Sequence, residues 1–320
     1  MTVADLADLA DLTELTERAD PAVPDRSSLG ALLERAAAAH DHPALPEPQL
    51  LALTHPGGTP HDGRLVLARR GGELAGFALL SPARDGSTVL HVVVDPERGT
   101  TALESALIRR AVQEAPAGFP LHLWLMQATD ADDERAGAEG FVPERDLLQM
   151  RVALPLPDDV LAATRPLATR PFVPGRDEVS WVETNNRAFA GHPEQGAWTV
   201  VDLHERMAAD WVELDGFLVA DDPDGPGLIG ACWTKIHGDR TPPLGEIYVI
   251  DVDPRHHGQG WGRSLTVAGL VYLAGTGITV GMLYTDASNV AAVALYRSLG
   301  FTVDHVDRSY RRDPPGAALS

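Results

Sequence analysis

The sequence predicts an α+β protein in which a mixed β-sheet is built twice along the chain. An internal repeat is the first observation: LHVVVDP at 90–96 resembles YVIDVDP at 248–254, and Asp95 and Asp253 are offset by 158 residues. The second observation is that segments with strand and helix character alternate in the second half, which is typical of a sheet covered by helices.

A second landmark supports the repeat. AEGFV at 138–142 resembles SLGFT at 298–302, with an offset of 160 residues between Gly140 and Gly300. Two landmarks in the same order at nearly one offset indicate two related halves. The prolines of segment 154–171 indicate a linker between them. We therefore expect three parts: an acidic N-terminal extension at 1–24, a first domain at 25–160 and a second domain at 161–320.

The first elements follow from local composition. The repeated ADL of residues 1–24, followed by prolines, indicates an acidic helix outside the fold. In the second half, apolar segments at 217–220 and 228–237 flank DDPDGPG, whose Asp, Pro and Gly residues favour a tight hairpin. The β-branched and aromatic segment 246–252 has no polar alternation, so it is predicted to be a central strand.

The remaining elements alternate. Segment 263–275 has apolar residues at helical spacing, and 281–286 is the next predicted strand. Asn289 can cap a following helix, and Gly300 can end that helix in the left-handed conformation. Segment 301–311 supplies the last predicted strand.

Charge and cysteine content exclude several classes of protein. The 320 residues include 26 Lys and Arg against 46 Asp and Glu, and the net charge of −20 opposes nonspecific binding to nucleic acid or anionic membranes. Cys232 is the single cysteine, which excludes an intramolecular disulfide and any multi-cysteine metal site. No apolar segment approaches the roughly 20 residues of a membrane span. Because the sequence also has no helical i,i+4 histidine pair, we expect no metal site. We further expect a soluble, cytoplasmic protein that is a monomer.

The loop DVDPRHHGQGWGR at 251–263 connects a predicted strand to a predicted helix. Its glycines allow a sharp turn whose N–H groups can approach an anion, at the positive end of the helix. The loop lacks the third glycine of GxGxxG and the Gly-Lys-Ser/Thr of a P-loop. Basic side chains nevertheless concentrate here, which favours a pyrophosphate site over a purely structural turn. They are Arg255, His256, His257 and Arg263.

These residues resemble the GNAT family of acetyl-CoA-dependent N-acetyltransferases. The family signature, Gln or Arg followed by xxGxG or xxGxA, is matched from His257 to Gly262 except that its first position is His, and NVAAVALYRSLGF resembles the family's following helix. The resemblance implies two tandem domains, each a mixed, mostly antiparallel sheet flanked by helices, with acetyl-CoA as co-substrate. The cofactor-binding residues it implies are Ile250, Asp251, Val252, His257, Gly258, Gln259, Gly260, Trp261, Gly262, Arg263, Asn289, Val290, Ala291, Ala292, Val293 and Ala294.

A narrower resemblance concerns the substrate. Segments 188–199, 232–237, 245–254 and 283–302 resemble tandem members of the family that acetylate the cysteinyl amine of cysteinyl-glucosaminyl-inositol. The resemblance therefore implies this small-molecule acceptor. One alternative is a tandem enzyme that acetylates another small amine, and another is a catalytically inactive acyl-CoA-binding or scaffold protein.

Acetyl transfer needs a neutral amine, a polarised thioester carbonyl and a proton for the departing thiolate. Glu246, at the start of the predicted central strand, is placed to deprotonate the amine, although an exposed strand-end carboxylate is the alternative. Asn289 and Tyr296 are seven residues apart and share a helix face. The resemblance implies that Asn289 holds the cofactor and Tyr296 is the general acid; the alternative is a cap and a half-buried aromatic.

Lys235 is the single lysine of the chain, and a compact ammonium suits a site crowded by hydroxyl groups. Together with Glu194 it resembles a pair that binds the sugar and inositol hydroxyls, although chance retention of one lysine is the alternative. Tyr284 and Glu246 would contact substrate as well, and for Tyr284 the alternative is a tyrosine of the core. HDHPALPEPQ corresponds loosely to a substrate segment of the family, which makes Glu47 the expected contact from the first half. Cys232 is expected to be a core residue.

The first half lacks the corresponding chemistry. At the repeat offsets, the positions of Glu246 and Tyr296 are occupied by Thr88 and Ala136, and that of Asn289 by Thr129. The first domain is therefore expected to keep the fold, to complete the substrate cleft and to be non-catalytic.

Overall fold

The computed structural model describes most of the chain in two compact units. One unit comprises Met1–Asp146 and Val306–Ser320, and the other comprises Leu147–His305. The described residues are 12–18, 23–40, 43–54, 63–83, 85–190, 196–238 and 240–314.

The first unit is a six-stranded sheet with helices. Its strands lie in the order β1-β2-β3-β4-β5-β12, and all neighbours pair antiparallel except β4 and β5. Its elements before residue 142 are β1 (Leu12–Arg18), α1 (Val23–His40), α2 (Glu47–Thr54), β2 (Arg64–Arg70), β3 (Glu73–Pro82), β4 (Thr88–Val94), α3 (Thr101–Glu114), β5 (Leu121–Leu125) and α4 (Asp130–Ala138).

The second unit repeats this plan. Its strands lie in the order β6-β11-β10-β9-β8-β7, and β10 and β11 form the one parallel pair among the recorded neighbours. The remaining elements are β6 (Val142–Ala153), α5 (Asp158–Ala162), β7 (Arg170–Pro171), α6 (Glu178–Ala188), α7 (Val200–Met207), β8 (Phe217–Asp221), β9 (Leu228–His237), β10 (Leu244–Val252), α8 (Trp261–Gly275), β11 (Val280–Asp286), α9 (Val290–Ser298) and β12 (Thr302–Arg312). The mixed, mostly antiparallel α+β fold predicted from the sequence is confirmed.

The boundaries between the units fall inside strands β6 and β12, after residues 146 and 305. This division differs from the boundary predicted near residue 160. Residues 147–153 of β6 pair with β11, whereas residues 308–312 of β12 pair with β5. The proline-containing segment 154–171 belongs to the second unit, where the backbone N–H of Leu154 donates to the Thr279 carbonyl. The segment contains α5 and the two residues of β7, so its prolines lie within folded backbone.

The helix predicted outside the fold at 1–24 is wrong for residues 12–18. These residues form β1, which pairs antiparallel with β2 over seven positions. The three-residue ADL period resembles a helical pattern, but backbone hydrogen bonds to a strand fifty residues later outweigh it.

The core of the second unit is largely aromatic on one face of its sheet. Trp181 of α6 packs edge to face on Trp233 of β9, and Phe217 stacks on the same indole. The other face is covered by α8, where an added Cβ at Gly269 would lie 2.5 Å from the sulfur of Cys232. Cys232 is therefore the core residue that was expected, and burial raises the pKa of its thiol.

Candidate active site

The strands β10 and β11 are paired over only part of their length. Their parallel register runs from Leu244 to Ile247 on β10, although β10 continues to Val252 and β11 to Asp286. On its other side β10 stays paired with β9 up to Val252, with a bulge between Ile247 and Val249. The edge of β10 that holds Ile250 and Val252 is thus left open toward β11, as binding of an extended ligand by main-chain groups requires.

Glu246 lies where this opening begins. A Cβ on its neighbour Gly245 would lie 2.8 Å from Leu273 of α8, so alternation along the strand directs Glu246 to the opposite, aromatic face. Glu246 is 8% exposed, and its Oε2 lies 2.7 Å from Nε2 of His237. A carboxylate next to the open strand edge is the arrangement that deprotonation of a bound amine requires.

Lys235 stands directly opposite Glu246 in the β9–β10 register, so the two side chains share a face. Its Nζ lies 4.5 Å from the ring centroid of Trp211 and 5.6 Å from that of Tyr248. These two aromatic rings are themselves 4.8 Å apart. The ammonium is held by cation–π contacts at the edge of the aromatic core, close to the candidate base.

Tyr284 extends this polar face onto β11. The Nε2 of Gln149 donates to the Tyr284 hydroxyl oxygen over 2.7 Å, and the Nε of Arg151 donates to Oε1 of Gln149 over 2.9 Å. The arginine therefore fixes the amide orientation. The tyrosine oxygen thus accepts a hydrogen bond from a fixed amide. Sequence reasoning missed the two β6 residues that form this arrangement.

Tyr296 lies on α9, and Asn289 is the N-cap of that helix, as predicted. The Asn289 side chain accepts from the N–H of Ala292 over 3.1 Å, so it caps the helix. Tyr296 is 7% exposed, and burial, with a smaller contribution from Cys232, raises the pKa of its hydroxyl to about 12. The hydroxyl is protonated at neutral pH and has a proton to donate.

The glycine-rich loop turns as the sequence predicted. Gly258 and Gly260 have φ angles of 73° and 86°, in the left-handed region that favours glycine, and Gly260 is the N-cap of α8. The main chain between them is thereby brought to the start of the helix. Peptide N–H groups at the start of a helix suit an anionic ligand.

The basic side chains of this loop have partners within the protein. Arg255 binds the buried carboxylate of Asp253, which also accepts from Arg187 of α6. Although burial acts against it, these arginines hold the pKa of Asp253 below its usual range. His256 contacts Asp222, and Nε2 of His257 lies 2.9 Å from the carbonyl of Val252. These three side chains, which the sequence predicted to face phosphate, thus contact groups of the protein itself and stabilise the conformation of the loop.

Arg263, predicted to bind cofactor, is also engaged: it donates to Thr164 and to Ser298. Arg165, which the sequence did not single out, lies on the loop instead. Its Cζ is 3.6 Å from the ring centroid of Trp261, and its Nη1 donates to the Gln259 carbonyl over 3.2 Å. No local pattern marks Arg165, because it lies in the segment interpreted as a linker.

Asp251 was also predicted to contact cofactor, but its side chain faces the aromatic core. It accepts from the indole N–H of Trp181 over 3.0 Å and from the backbone N–H of Ala231 over 3.1 Å. Burial raises the pKa of Asp251 to about 8, against the opposing effect of these two hydrogen bonds. The main-chain carbonyl of Asp251 also faces β9, where an added Cβ at Gly230 would contact it, so the residues that face the open strand edge are Ile250 and Val252.

Two predicted substrate residues have no described side chain. Glu194 falls at 191–195, outside the described residues, and Glu47 begins α2 with only its backbone described. Both remain predictions. Within the described part of the chain, no group of three or more His, Cys, Asp or Glu side chains is placed to hold a metal ion. Among the same residues, no helix combines the length and apolar character needed to cross a membrane.

The first unit has different residues at the corresponding positions. Ala136 is fully buried on α4, and Thr129 forms the capping box of that helix. In the loop after β4, an added Cβ at Gly99 would lie 2.6 Å from the carbonyl oxygen of Asp95, so this loop closes tightly on itself.

Proteins of known family resemble this chain in sequence. The Acetyltransferase (GNAT) family model matches residues 180–301. The chain is 43% identical over 296 residues to a mycothiol acetyltransferase of Thermomonospora curvata, covering 91% of this chain and 95% of that one. It is 40% identical to a protein of the same name from Thermobispora bispora, covering 90% and 96%.

Solved structures agree in fold. A GCN5-related N-acetyltransferase from Sphaerobacter thermophilus superimposes with a TM-score of 0.67 at 22% identity, covering 94% of this chain and 95% of that one. A tandem GNAT protein from the clavulanic acid biosynthesis pathway gives a TM-score of 0.64 at 17% identity, covering 94% and 98%. At these identities the likeness concerns the fold alone.

Proposed function

Because the chain belongs to the mycothiol acetyltransferases of the GNAT family, we propose that it transfers acetyl from acetyl-CoA to the cysteinyl amine of cysteinyl-glucosaminyl-inositol, giving mycothiol and coenzyme A. It is an acetyl-CoA-dependent N-acetyltransferase that acts on a small molecule. The observation that carries the proposal is the position of Glu246, a buried carboxylate at the point where β10 and β11 separate.

Glu246 is proposed as the general base. An α-amine has a pKa of about 8, so it is mostly protonated at neutral pH and must lose a proton before it attacks the thioester. A carboxylate positioned beside the acceptor can remove that proton, which frees the nitrogen lone pair for the attack. Lys235 on the same face is proposed to bind acceptor hydroxyls, so that it orients the amine toward Glu246.

Tyr296 is proposed as the general acid. When the carbon–sulfur bond breaks, the thiolate leaves with a negative charge and needs a proton. The raised pKa of about 12 keeps the Tyr296 proton in place until that charge develops. Its position on α9, after β11, is consistent with this role.

The described residues fit the acetyl-CoA of the family. The open edge of β10 offers main-chain groups at Ile250 and Val252, and the glycine turn before α8 offers peptide N–H groups to phosphates. Asp251, which lies between these two strand residues, belongs to the same proposed cofactor segment. Acetyl-CoA supplies the activated acetyl group. The other residues proposed to hold it are those from His257 to Arg263 and from Asn289 to Ala294.

The acceptor is proposed to contact Lys235, Tyr284 and Glu246 in the second unit, together with Glu194 and Glu47. The Tyr284 hydroxyl oxygen accepts from Gln149, which fixes its position on the face that is proposed to contact the acceptor. The first domain is proposed to be non-catalytic, since alanine replaces the acid and threonine the base at its corresponding positions. We also propose a monomer that acts in the cytoplasm, where acetyl-CoA is available, and that does not bind nucleic acid.

The test is an acetyl-transfer assay with the purified chain. Thiol release from acetyl-CoA and the mass of the product are measured with cysteinyl-glucosaminyl-inositol, free cysteine, glucosamine and an aminoglycoside. We expect the first acceptor to give the highest kcat/KM by at least tenfold. A higher value for another amine would favour the alternative tandem N-acetyltransferase, and transfer to none of them would contradict the proposal.

A further inference from the structure

The imidazole of His237 and the carboxylate of Glu246 form a pair on adjacent strands. Their Nε2 and Oε2 atoms are 2.7 Å apart, and the two side chains are 20% and 11% exposed. In the β9–β10 register His237 is opposite Leu244, two positions from Glu246, which places both side chains on one face as diagonal neighbours. The strand register therefore places the two side chains next to each other, and no loop is needed to bring them together.

The hydrogen-bond direction follows from the carboxylate. An ionised carboxylate only accepts, so Nε2 of His237 carries the hydrogen and donates to Oε2 of Glu246. A buried charge is tolerated when it is hydrogen-bonded, and a bond to one oxygen also fixes the rotation of the carboxylate. Oε1 is then the oxygen left to receive a proton from the acceptor amine.

We propose that His237 is a positioning residue for the acetyl transfer, which holds Glu246 so that Oε1 faces the amine. The inference rests on the proposed function. In the step concerned, an amine proton moves to Oε1 and the nitrogen lone pair forms the bond to the thioester carbon. The carbon–sulfur bond then breaks, and the thiolate takes a proton from Tyr296. His237 keeps its own proton throughout.

Two substitutions separate positioning from proton transfer. His237→Gln places an amide N–H near the position of Nε2 but cannot titrate, whereas His237→Leu removes the donor. We expect His237→Leu to lower kcat by about 10 to 100-fold with the KM for acetyl-CoA unchanged, and His237→Gln to recover most of that loss. Equal losses in both variants would overturn the proposal, because they would mean that the imidazole itself exchanges the proton.

A second measurement needs no substrate. His237→Leu leaves a buried carboxylate without its donor, so it should lower the Tm, and this decrease should shrink by at least half in a Glu246→Gln background. Equal decreases in both backgrounds would show that the two residues are not coupled, which also overturns the proposal. A wild-type protein that acetylates no amine would contradict the proposed function, whereas the coupling in Tm would still decide on the pair.

Discussion

The indole N–H of Trp181 donates to the carboxylate of Asp251, which lies entirely inside the second unit. Burial, with a smaller effect of Asp253, raises the pKa of Asp251 to about 8, and the bond from Trp181 opposes that rise. In the unfolded chain the pKa of an Asp is about 3.9. The folded state therefore binds the proton more tightly, and this contribution to stability is lost as the pH rises from about 4 through about 8.

Trp181→Phe should accordingly destabilise the protein more at pH 9 than at pH 5.5. The substitution removes a donor that favours the charged carboxylate, and a hydrogen bond to a charged group contributes about 1.5–3 kcal/mol. We expect an additional loss of that size in the free energy of unfolding at pH 9, measured by denaturant titration at both pH values. Loss of indole volume adds a part that does not depend on pH.

Trp233→Phe is the matched control. Trp233 is fully buried in the same aromatic core, but no hydrogen-bond partner of its Nε1 is found in the described structure. Its replacement should therefore destabilise the protein equally at pH 5.5 and pH 9. If the two variants showed the same pH dependence, Asp251 would not be the group that Trp181 stabilises.

Glu246→Gln should lower kcat by about 10² to 10⁴-fold at pH 7, because a positioned base contributes that much. The amide oxygen can still accept from His237, so the fold and the affinity for acetyl-CoA should be nearly unchanged. Since an α-amine is mostly neutral above a pH of about 8, the deficit should shrink as the pH rises to 9. Wild-type turnover between pH 6 and 9 would remove Glu246 from the mechanism.

Gly260→Ala should weaken acetyl-CoA binding at least tenfold, as measured by isothermal titration, because the methyl group obstructs approach of the pyrophosphate. Gly277, which follows the other end of α8, is a matched control: its φ is 92° against 86°, and no atom lies within 4 Å of an added Cβ at either position. Gly277→Ala should cause similar strain but leave the dissociation constant within about twofold. Equal weakening in both variants would contradict the assigned cradle.

Gly99, in the corresponding loop of the first unit, cannot replace Gly277 as the control. A Cβ at Gly99 would clash with the backbone of Asp95, so its replacement tests folding and not binding. Asp95 itself is fully buried and bound by Arg35 and Arg98. Asp253 has the same arrangement in the second unit, with one arginine from an earlier helix, Arg187 of α6, and one from the loop, Arg255.

This shared arrangement explains what the repeat could and could not predict. Asp95 and Asp253, which revealed the two halves, each stabilise a strand-to-helix loop by binding two arginines. A sequence repeat detects such residues because both halves need them for the fold. Asp253 binds Arg255, which the sequence analysis had assigned to a phosphate site from the concentration of basic residues alone. Partners such as Arg187 lie on a distant helix, and no local pattern links them to the loop.

The elements from β10 to α9 could be predicted because their signals are local: a continuous apolar strand, a cap at Asn289 and a left-handed Gly300 with a φ of 92°. The pairing of β6 with β11 could not, since register between segments more than 120 residues apart depends on the whole sheet. The contribution of Gln149 to the candidate site was missed for the same reason.

Lys235 tests the identity of the acceptor. If its ammonium binds sugar or inositol hydroxyls, each lost charged hydrogen bond contributes about 1.5–3 kcal/mol, which corresponds to roughly 10 to 100-fold in kcat/KM. Lys235→Ala should lower kcat/KM for cysteinyl-glucosaminyl-inositol by that factor and change it far less for free cysteine, which lacks those hydroxyls. The quantity to compare is the ratio of the two values in wild type and variant.

Lys235→Met separates binding from packing in the same experiment. Methionine keeps a long apolar side chain next to Trp211 and Tyr248, the two rings that the Lys235 ammonium contacts, but it carries no charge. Loss of substrate hydrogen bonds should make the Met and Ala variants equally selective against the full acceptor. A lysine that merely supported the aromatic rings would instead be replaced well by methionine, and the ratio of the two kcat/KM values would stay at its wild-type level in both variants. That result would favour an N-acetyltransferase of another small amine, because nothing on β9 would then distinguish the sugar-linked acceptor from cysteine.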